Sequence, residues 1–123
     1  MFENAEVIDS YSRSDALKDG VLVDVSKLAK GAGFKYPVAI TSDIEAIIQQ
    51  AIANPKYCND YSGVLWDILW MCKLKAKQSK DCEVWFQTII TGVGRKKLHT
   101  FKAICGPGDN MESVVTIMLE NED

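Results

Sequence analysis

Between Tyr61 and Ser79 the chain reads Tyr-Ser-Gly-Val-Leu-Trp-Asp-Ile-Leu-Trp-Met-Cys-Lys-Leu-Lys-Ala-Lys-Gln-Ser, and two apolar patterns follow one another in it. In the first, Val64, Leu65, Trp66, Ile68, Leu69, Trp70, Met71 and Cys72 cover almost the whole circumference of a helix, with Asp67 as the only interruption. A helix that is apolar all round has to be enclosed on several sides. In the second, Lys73, Lys75 and Lys77 alternate with Leu74 and Ala76, so the helix is expected to leave the core and end in solvent. The domain is therefore predicted to be organised around the front half of one long helix, about 61–79.

A second helix, about 43–53, follows from Ile44, Ile47, Ile48, Ala51 and Ile52 on one face and Glu45, Gln49 and Gln50 on the other. Ser42 and Glu45 have the spacing of a capping box, and Asn54-Pro55 supplies the stop. Upstream, Ala5 to Asp9 reads as a short extended run. Ser12 or Ser14 then reads as the N-cap of a one- or two-turn helix that Gly20 ends. Val21-Leu-Val-Asp-Val25 favours a strand, Ser26 the cap of another short helix, and Phe34 to Ile40 an extended segment. Proline cannot donate to a sheet ladder, so Pro37 points that segment to a sheet edge.

After Ser79 the pattern changes to strands. Cys82 to Thr91, Leu98 to Cys105 and Val114 to Leu119 are rich in β-branched and aromatic residues, and Gly92-Val-Gly94 and Gly106-Pro-Gly108 punctuate them. An antiparallel meander (about 82–91, 98–105, 114–119) is the economical arrangement. Val84, Phe86 and Ile90 share one face of its first strand and Val115, Ile117 and Leu119 one face of its last, so one side of the sheet is predicted to lie against the long helix. The expected fold class is α+β, in a single globular domain over residues 1–123 without internal repeats.

Composition agrees with that reading: of 123 residues 47% are hydrophobic and 25% charged, and a chain of this size closes one core. No window reaches the roughly 18 apolar residues of a membrane span, and Met-Phe-Glu-Asn-Ala-Glu lacks the features of a signal peptide, so a cytoplasmic protein without membrane attachment is expected. Cys58, Cys72, Cys82 and Cys105 have 13, 9 and 22 residues between them. That spacing predicts free thiols, neither a disulfide framework nor a zinc or redox pair. One histidine, His99, and scattered carboxylates offer no metal-ligand set, and no phosphate-loop or dinucleotide fingerprint is present, so neither metal nor cofactor is expected.

Charge is distributed unevenly. From Lys73 to Lys102 eight basic residues face two acidic ones, net +6, which leaves −9 for the remainder of a chain whose total is −3. Lys73, Lys75, Lys77 and Lys80 at the helix end and Arg95, Lys96 and Lys97 at a hairpin tip form one basic end if the two lie together, and they are the candidate binding surface. The turn Gly106-Pro107-Gly108-Asp109 fits type II, with Gly108 taking the positive φ, and is a second candidate through its backbone amides. Cys105, His99 and Asp109 are the residue types of an activated thiol. His99 and Cys105, however, lie six residues apart on one strand, about 20 Å, so no catalytic residue is assigned.

The strings Gly20-Val-Leu-Val-Asp-Val-Ser26, Gly33-Phe-Lys-Tyr-Pro-Val-Ala-Ile-Thr41, Leu65-Trp-Asp-Ile-Leu-Trp-Met71, Lys102-Ala-Ile-Cys-Gly-Pro-Gly-Asp109 and Val115-Thr-Ile-Met-Leu119 resemble a family of small uncharacterised proteins carried on bacterial plasmids and phages. The resemblance spans nearly the whole chain and implies a mobile-element origin; it brings no activity with it. Three functions are then ranked. A protein-binding accessory or inhibitor module needs only a stable scaffold and a surface. A nucleic-acid binder would use the basic end, against the repulsion of an acidic body. A small cysteine enzyme comes third.

Overall fold

The structure is a computed structural model that describes residues 12–95 and 97–122, and every structural statement below concerns these residues. The extended run expected at Ala5 to Asp9 lies outside them, as does Lys96. The first described element is helix α1 (Arg13–Asp19), whose N-cap Ser12 accepts from the Asp15 amide and whose C-cap Gly20 takes a left-handed φ of 80°. Strand β1 (Leu22–Asp24), helix α2 (Ser26–Gly31) and strand β2 (Val38–Thr41) follow. Next come helices α3 (Ser42–Ala53) and α4 (Tyr61–Lys77), and last strands β3 (Glu83–Ile89), β4 (Leu98–Pro107) and β5 (Ser113–Leu119).

The five strands form one sheet in the order β1-β2-β5-β4-β3. The expected meander is its larger part, with β4 antiparallel to β3 and to β5. The α+β class is thus that of the structure. Strand β2 adds to the far side of β5 in parallel, with Val38 beside Val115 and Ile40 beside Ile117, and β1 closes that side antiparallel. This corrects the edge position expected for the Pro37 segment. Pro37 stands just before the strand, where no ladder bond is needed from it. Its carbonyl accepts from the Val115 amide at 2.9 Å, and the four residues after it are all buried.

One face of the sheet carries Val38, Ile40, Phe86, Phe101, Ala103, Val115 and Ile117, and these pack with Ile44, Ile48 and Ala51 of α3 and Leu65, Ile68, Leu69 and Cys72 of α4. Phe86 and Phe101, neighbours across β3 and β4, hold their ring centroids 5.6 Å apart. Ile68 and Leu69 are fully buried, and each contributes about 2 to 3 kcal/mol by leaving water. Helix α1 meets the opposite face: the Arg13 guanidinium donates to Thr116 Oγ1 (2.6 Å) and to the Val115 carbonyl (3.0 Å).

Three local expectations give way to tertiary partners. Ser26 begins α2 and does not cap it; its Oγ donates to Asp24 Oδ1 and accepts from the Val38 amide, tying β1 to β2. The capping box at Ser42 and Glu45 does not form, because Thr41 is the N-cap and Glu45 accepts from the Tyr61 hydroxyl and from Gln49. The largest departure is in α4. Val64, Leu65, Ile68, Leu69 and Cys72 are buried, but Trp66, Trp70 and Met71 are exposed. The enclosure is incomplete: the helix packs against β3, α3 and α2, but Trp66, Trp70, Met71 and also Leu74 stay exposed.

Candidate functional site

Strand β3 sets the distance between the two basic clusters. Helix α4 ends at Lys77, and the chain enters β3 at Glu83, so Lys75, Lys77 and Lys80 lie at the start of that strand. Arg95 and Lys97 lie past its other end, where Asn59 donates to the Thr91 carbonyl at 2.9 Å. There Gly92, at φ +91°, runs so close to α3 that a Cβ would meet the Ala51 carbonyl oxygen at 3.2 Å. Seven residues of strand span roughly 20 Å. The helix end and the hairpin tip are therefore apart, and the single basic end that the sequence suggested is two. Lys73 is already engaged, its Nζ donating to the Gly33 carbonyl at 2.5 Å.

The Gly106–Asp109 turn has a structural task. Gly106 and Pro107 belong to β4, and the reversal follows them, closed by Gly108 N–H to the Glu112 carbonyl (2.6 Å) and Met111 N–H to the Gly108 carbonyl (3.1 Å). The positive φ expected at Gly108 falls instead on Met111, at 65°. Asp109 uses both carboxylate oxygens on α1, Oδ1 accepting from the Arg13 amide at 2.8 Å and Oδ2 from the Ser14 amide at 2.9 Å. An anion there is favoured by the first-turn N–H groups and the positive end of the helix dipole. The carboxylate is itself the anion that this loop brings to a helix.

Cys105, His99 and Asp109 are not assembled. β4 runs continuously from Leu98 to Pro107, which keeps the imidazole and the thiol at opposite ends of one strand. His99 is buried beside the Phe101 ring, centroids 6.4 Å apart, and Asp109 is held by α1. Cys58 and Cys82 are exposed, and Cys72 is buried, its thiol pushed up to about 12 by desolvation. Among the described residues no group of three or more His, Cys, Asp or Glu is placed to hold a metal ion, and no helix is long and apolar enough to cross a membrane.

What the sequence reading missed is an apolar strip along the free side of α4 and β3. Two shallow grooves meet there. One, about 490 Å³, is lined by Met71, Leu74, Lys75 and Gln78 of the helix side and Trp85 and Gln87 of the strand; the other, about 410 Å³, by Asp67, Trp70, Met71, Gln87, Ile89 and Leu98. Met71 and Gln87 belong to both, so the strip is continuous. Its large residues are 39 to 66% exposed. Lys102 extends its ammonium over the Trp85 ring, 5.6 Å from the centroid, which fixes the indole against the sheet. The alternation of β3 was the available signal: Val84, Phe86 and Thr88 turn inward, so Trp85 and Ile89 have to turn outward.

The backbone of β3 is open along the same strip. Cys105 N–H donates to the Cys82 carbonyl and Ile90 N–H to the Lys97 carbonyl, each at 2.8 Å. Antiparallel ladders alternate, so Cys82, Val84, Phe86, Thr88 and Ile90 turn their N–H and C=O toward β4. Glu83, Trp85, Gln87 and Ile89 turn theirs away, and no described strand pairs with them. The other edge is better protected: β1 has three residues and α1 packs beside it.

A model of a family of unknown function, DUF6573, matches residues 1–123. The chain belongs to that family. No curated protein and no solved structure matches it. The apolar strip and, among the described residues, the open edge belong to this DUF6573 chain's own geometry.

Proposed function

We propose that this DUF6573 protein is a non-enzymatic protein-binding module that serves a bacterial plasmid or phage as an accessory or inhibitor factor in the cytoplasm. The observation that carries the reading is the strip of Trp70, Met71, Leu74, Trp85, Ile89 and Leu98 beside a strand edge that no described strand pairs. Large exposed apolar patches on soluble domains mark interaction sites, and aromatic residues and methionine are enriched in protein interfaces. The mobile-element setting rests on the resemblance of nearly the whole chain to plasmid- and phage-borne proteins. The nucleic-acid reading ranks second because its two basic clusters are roughly a strand's length apart and the rest of the chain is acidic.

The test is affinity capture of the tagged protein from a bacterial lysate after nuclease treatment, beside a variant carrying Trp70→Glu and Ile89→Lys whose circular dichroism matches the parent. Bound protein that survives nuclease and is lost with the variant supports the reading. Loss of all bound material on nuclease treatment overturns it in favour of nucleic acid.

A further inference from the structure

We propose that the occupant of the strip is a second copy of this chain, which lays its β3 antiparallel to the first across a two-fold axis and joins two five-stranded sheets into one of ten strands. This rests on the docking reading of the strip and names its partner.

Self-complementarity is the argument, and it appears independently in strand and helix. Along β3 the outward backbone groups belong to Glu83, Trp85, Gln87 and Ile89, so a pairing partner must match odd residue to odd residue. Centring the axis on Gln87 sets Trp85 across from Ile89 of the other copy, an aromatic on a β-branched residue, which is a favourable cross-strand pair. Centring it on Phe86 sets Trp85 against Gln87 and Glu83 against Ile89, and centring it on Trp85 leaves Ile89 opposite the polar Asp81. Centring it on Ile89 sets that residue on its own copy but carries Trp85 past the end of the strand, so the Gln87 register alone gives both Trp85 and Ile89 apolar partners within β3.

In the helix, Asp67, Met71 and Lys75 are spaced i, i+4, i+8 and follow one another along the strip. Met71 stands level with Gln87, since both line both grooves. An axis through Gln87 therefore brings Met71 near its own copy, and four residues to either side it brings Asp67 of each chain to Lys75 of the other. Opposite charges thus fall together at both ends of an apolar centre, in the register the strand chooses by itself.

Six large side chains, 39 to 66% exposed, offer on the order of 500 Å² of apolar surface per copy, the scale from which an interface of about 1,000 Å² in total is drawn. β3 carries none of the devices that blunt an edge: it has no proline, no lysine and no bulge over seven residues.

Sedimentation equilibrium of the full chain between about 1 and 100 µM decides the matter. The parent is expected to be a dimer. Gln87→Pro removes an N–H that faces out of the sheet, so the fold should hold, as checked by circular dichroism, while the species becomes a monomer. Asp67→Lys alone and Lys75→Asp alone should each weaken dimerisation about tenfold or more, because each places like charges at both ends of the interface, and the double exchange should restore it. A parent that is monomeric at 100 µM overturns the proposal, as does a dimer that ignores all of these substitutions. A monomer whose Trp70→Glu, Ile89→Lys variant still loses a captured protein leaves the docking reading standing and the self-pairing refuted. A strip variant that changes neither oligomeric state nor capture refutes both.

Discussion

Replacing Asp109 with alanine isolates the contact that holds the β4–β5 loop to α1. The carboxylate accepts from two backbone amides, Arg13 at 2.8 Å and Ser14 at 2.9 Å, across 96 and 95 positions of sequence. A hydrogen bond to a charged group contributes about 1.5 to 3 kcal/mol when sheltered. Both bonds here are exposed, so water replaces the lost acceptor and the appropriate scale is that of a helix cap, about 0.5 to 2 kcal/mol. Helix α1 does not detach, because Ser12 still caps Asp15 and the Arg13 guanidinium still holds Thr116 and the Val115 carbonyl. The expected loss is about 1.5 kcal/mol, roughly 5 °C in melting temperature for a domain of this size. The milder Asp109→Asn keeps one acceptor oxygen and should lose about half as much. Urea unfolding gives the energy, and amide exchange at Arg13 and Ser14 should accelerate in step. A loss under about 0.3 kcal/mol with unchanged exchange would refute the contact and free the loop as a ligand site.

Three further outcomes are expected. Ile68→Ala or Leu69→Ala should each cost about 2 to 5 kcal/mol in urea unfolding, since both are fully buried; under about 1 kcal/mol at both would mean that the helix does not pack as described. Burial holds the Cys72 thiol at about 12, well above its unfolded value near 8.5. Its stabilisation is thus complete below pH 8.5 and lost as pH rises toward 12, at no more than about 1.4 kcal/mol per unit. Comparison of the parent with Cys72→Ala between pH 8 and 11 should show the steeper decline in the parent, and parallel curves would contradict it. Tyr61, raised by burial and then by Glu45, adds to the decline in both proteins from about pH 10 upward. Met111→Gly should leave stability unchanged or raise it by up to about 1 kcal/mol, because Met111 is 81% exposed at φ 65° and glycine relieves the left-handed backbone while costing unfolded-state entropy; a clear loss would show that the methionine side chain packs on something.

The elements were legible wherever local pattern and tertiary demand coincide. Helix α3 has its isoleucines on one face, β3 to β5 alternate, and Ser12 and Gly20 delimit α1, so the chain itself signals each. Pro37 within an extended segment points strand β2 to an edge; that Pro37 precedes the strand and hands its carbonyl to Val115 depends on a residue 78 positions away. Ser26 and Glu45 have the right identity for caps, and each found a stronger partner in another element. Asp109 looked like part of an anion-binding turn because nothing near it in sequence shows that α1 arrives there. The basic end failed for a topological reason: the helix end and the hairpin tip are both rich in lysine, but the length of β3 stands between them.

Trp66, Trp70 and Met71 show the sharper limit of such a reading. Apolar composition tells that a helix seeks cover, but not whether the cover comes from its own chain. In α4 the sheet and helices α2 and α3 cover Val64, Leu65, Ile68, Leu69 and Cys72, and the described residues leave Trp70 and Met71 about two-fifths exposed. The same holds for β3, whose inward residues close the core while Trp85 and Ile89 face out beside unpaired amides. The core and the exposed apolar strip therefore occupy different faces of the same two elements. A polar substitution on the outer face leaves the fully buried core untouched, so its effect on folding should be smaller than that of a core truncation, about 1 kcal/mol or less. A truncation on the inner face acts on folding alone. This separation lets the docking role proposed for the strip be tested by mutation with the fold held constant.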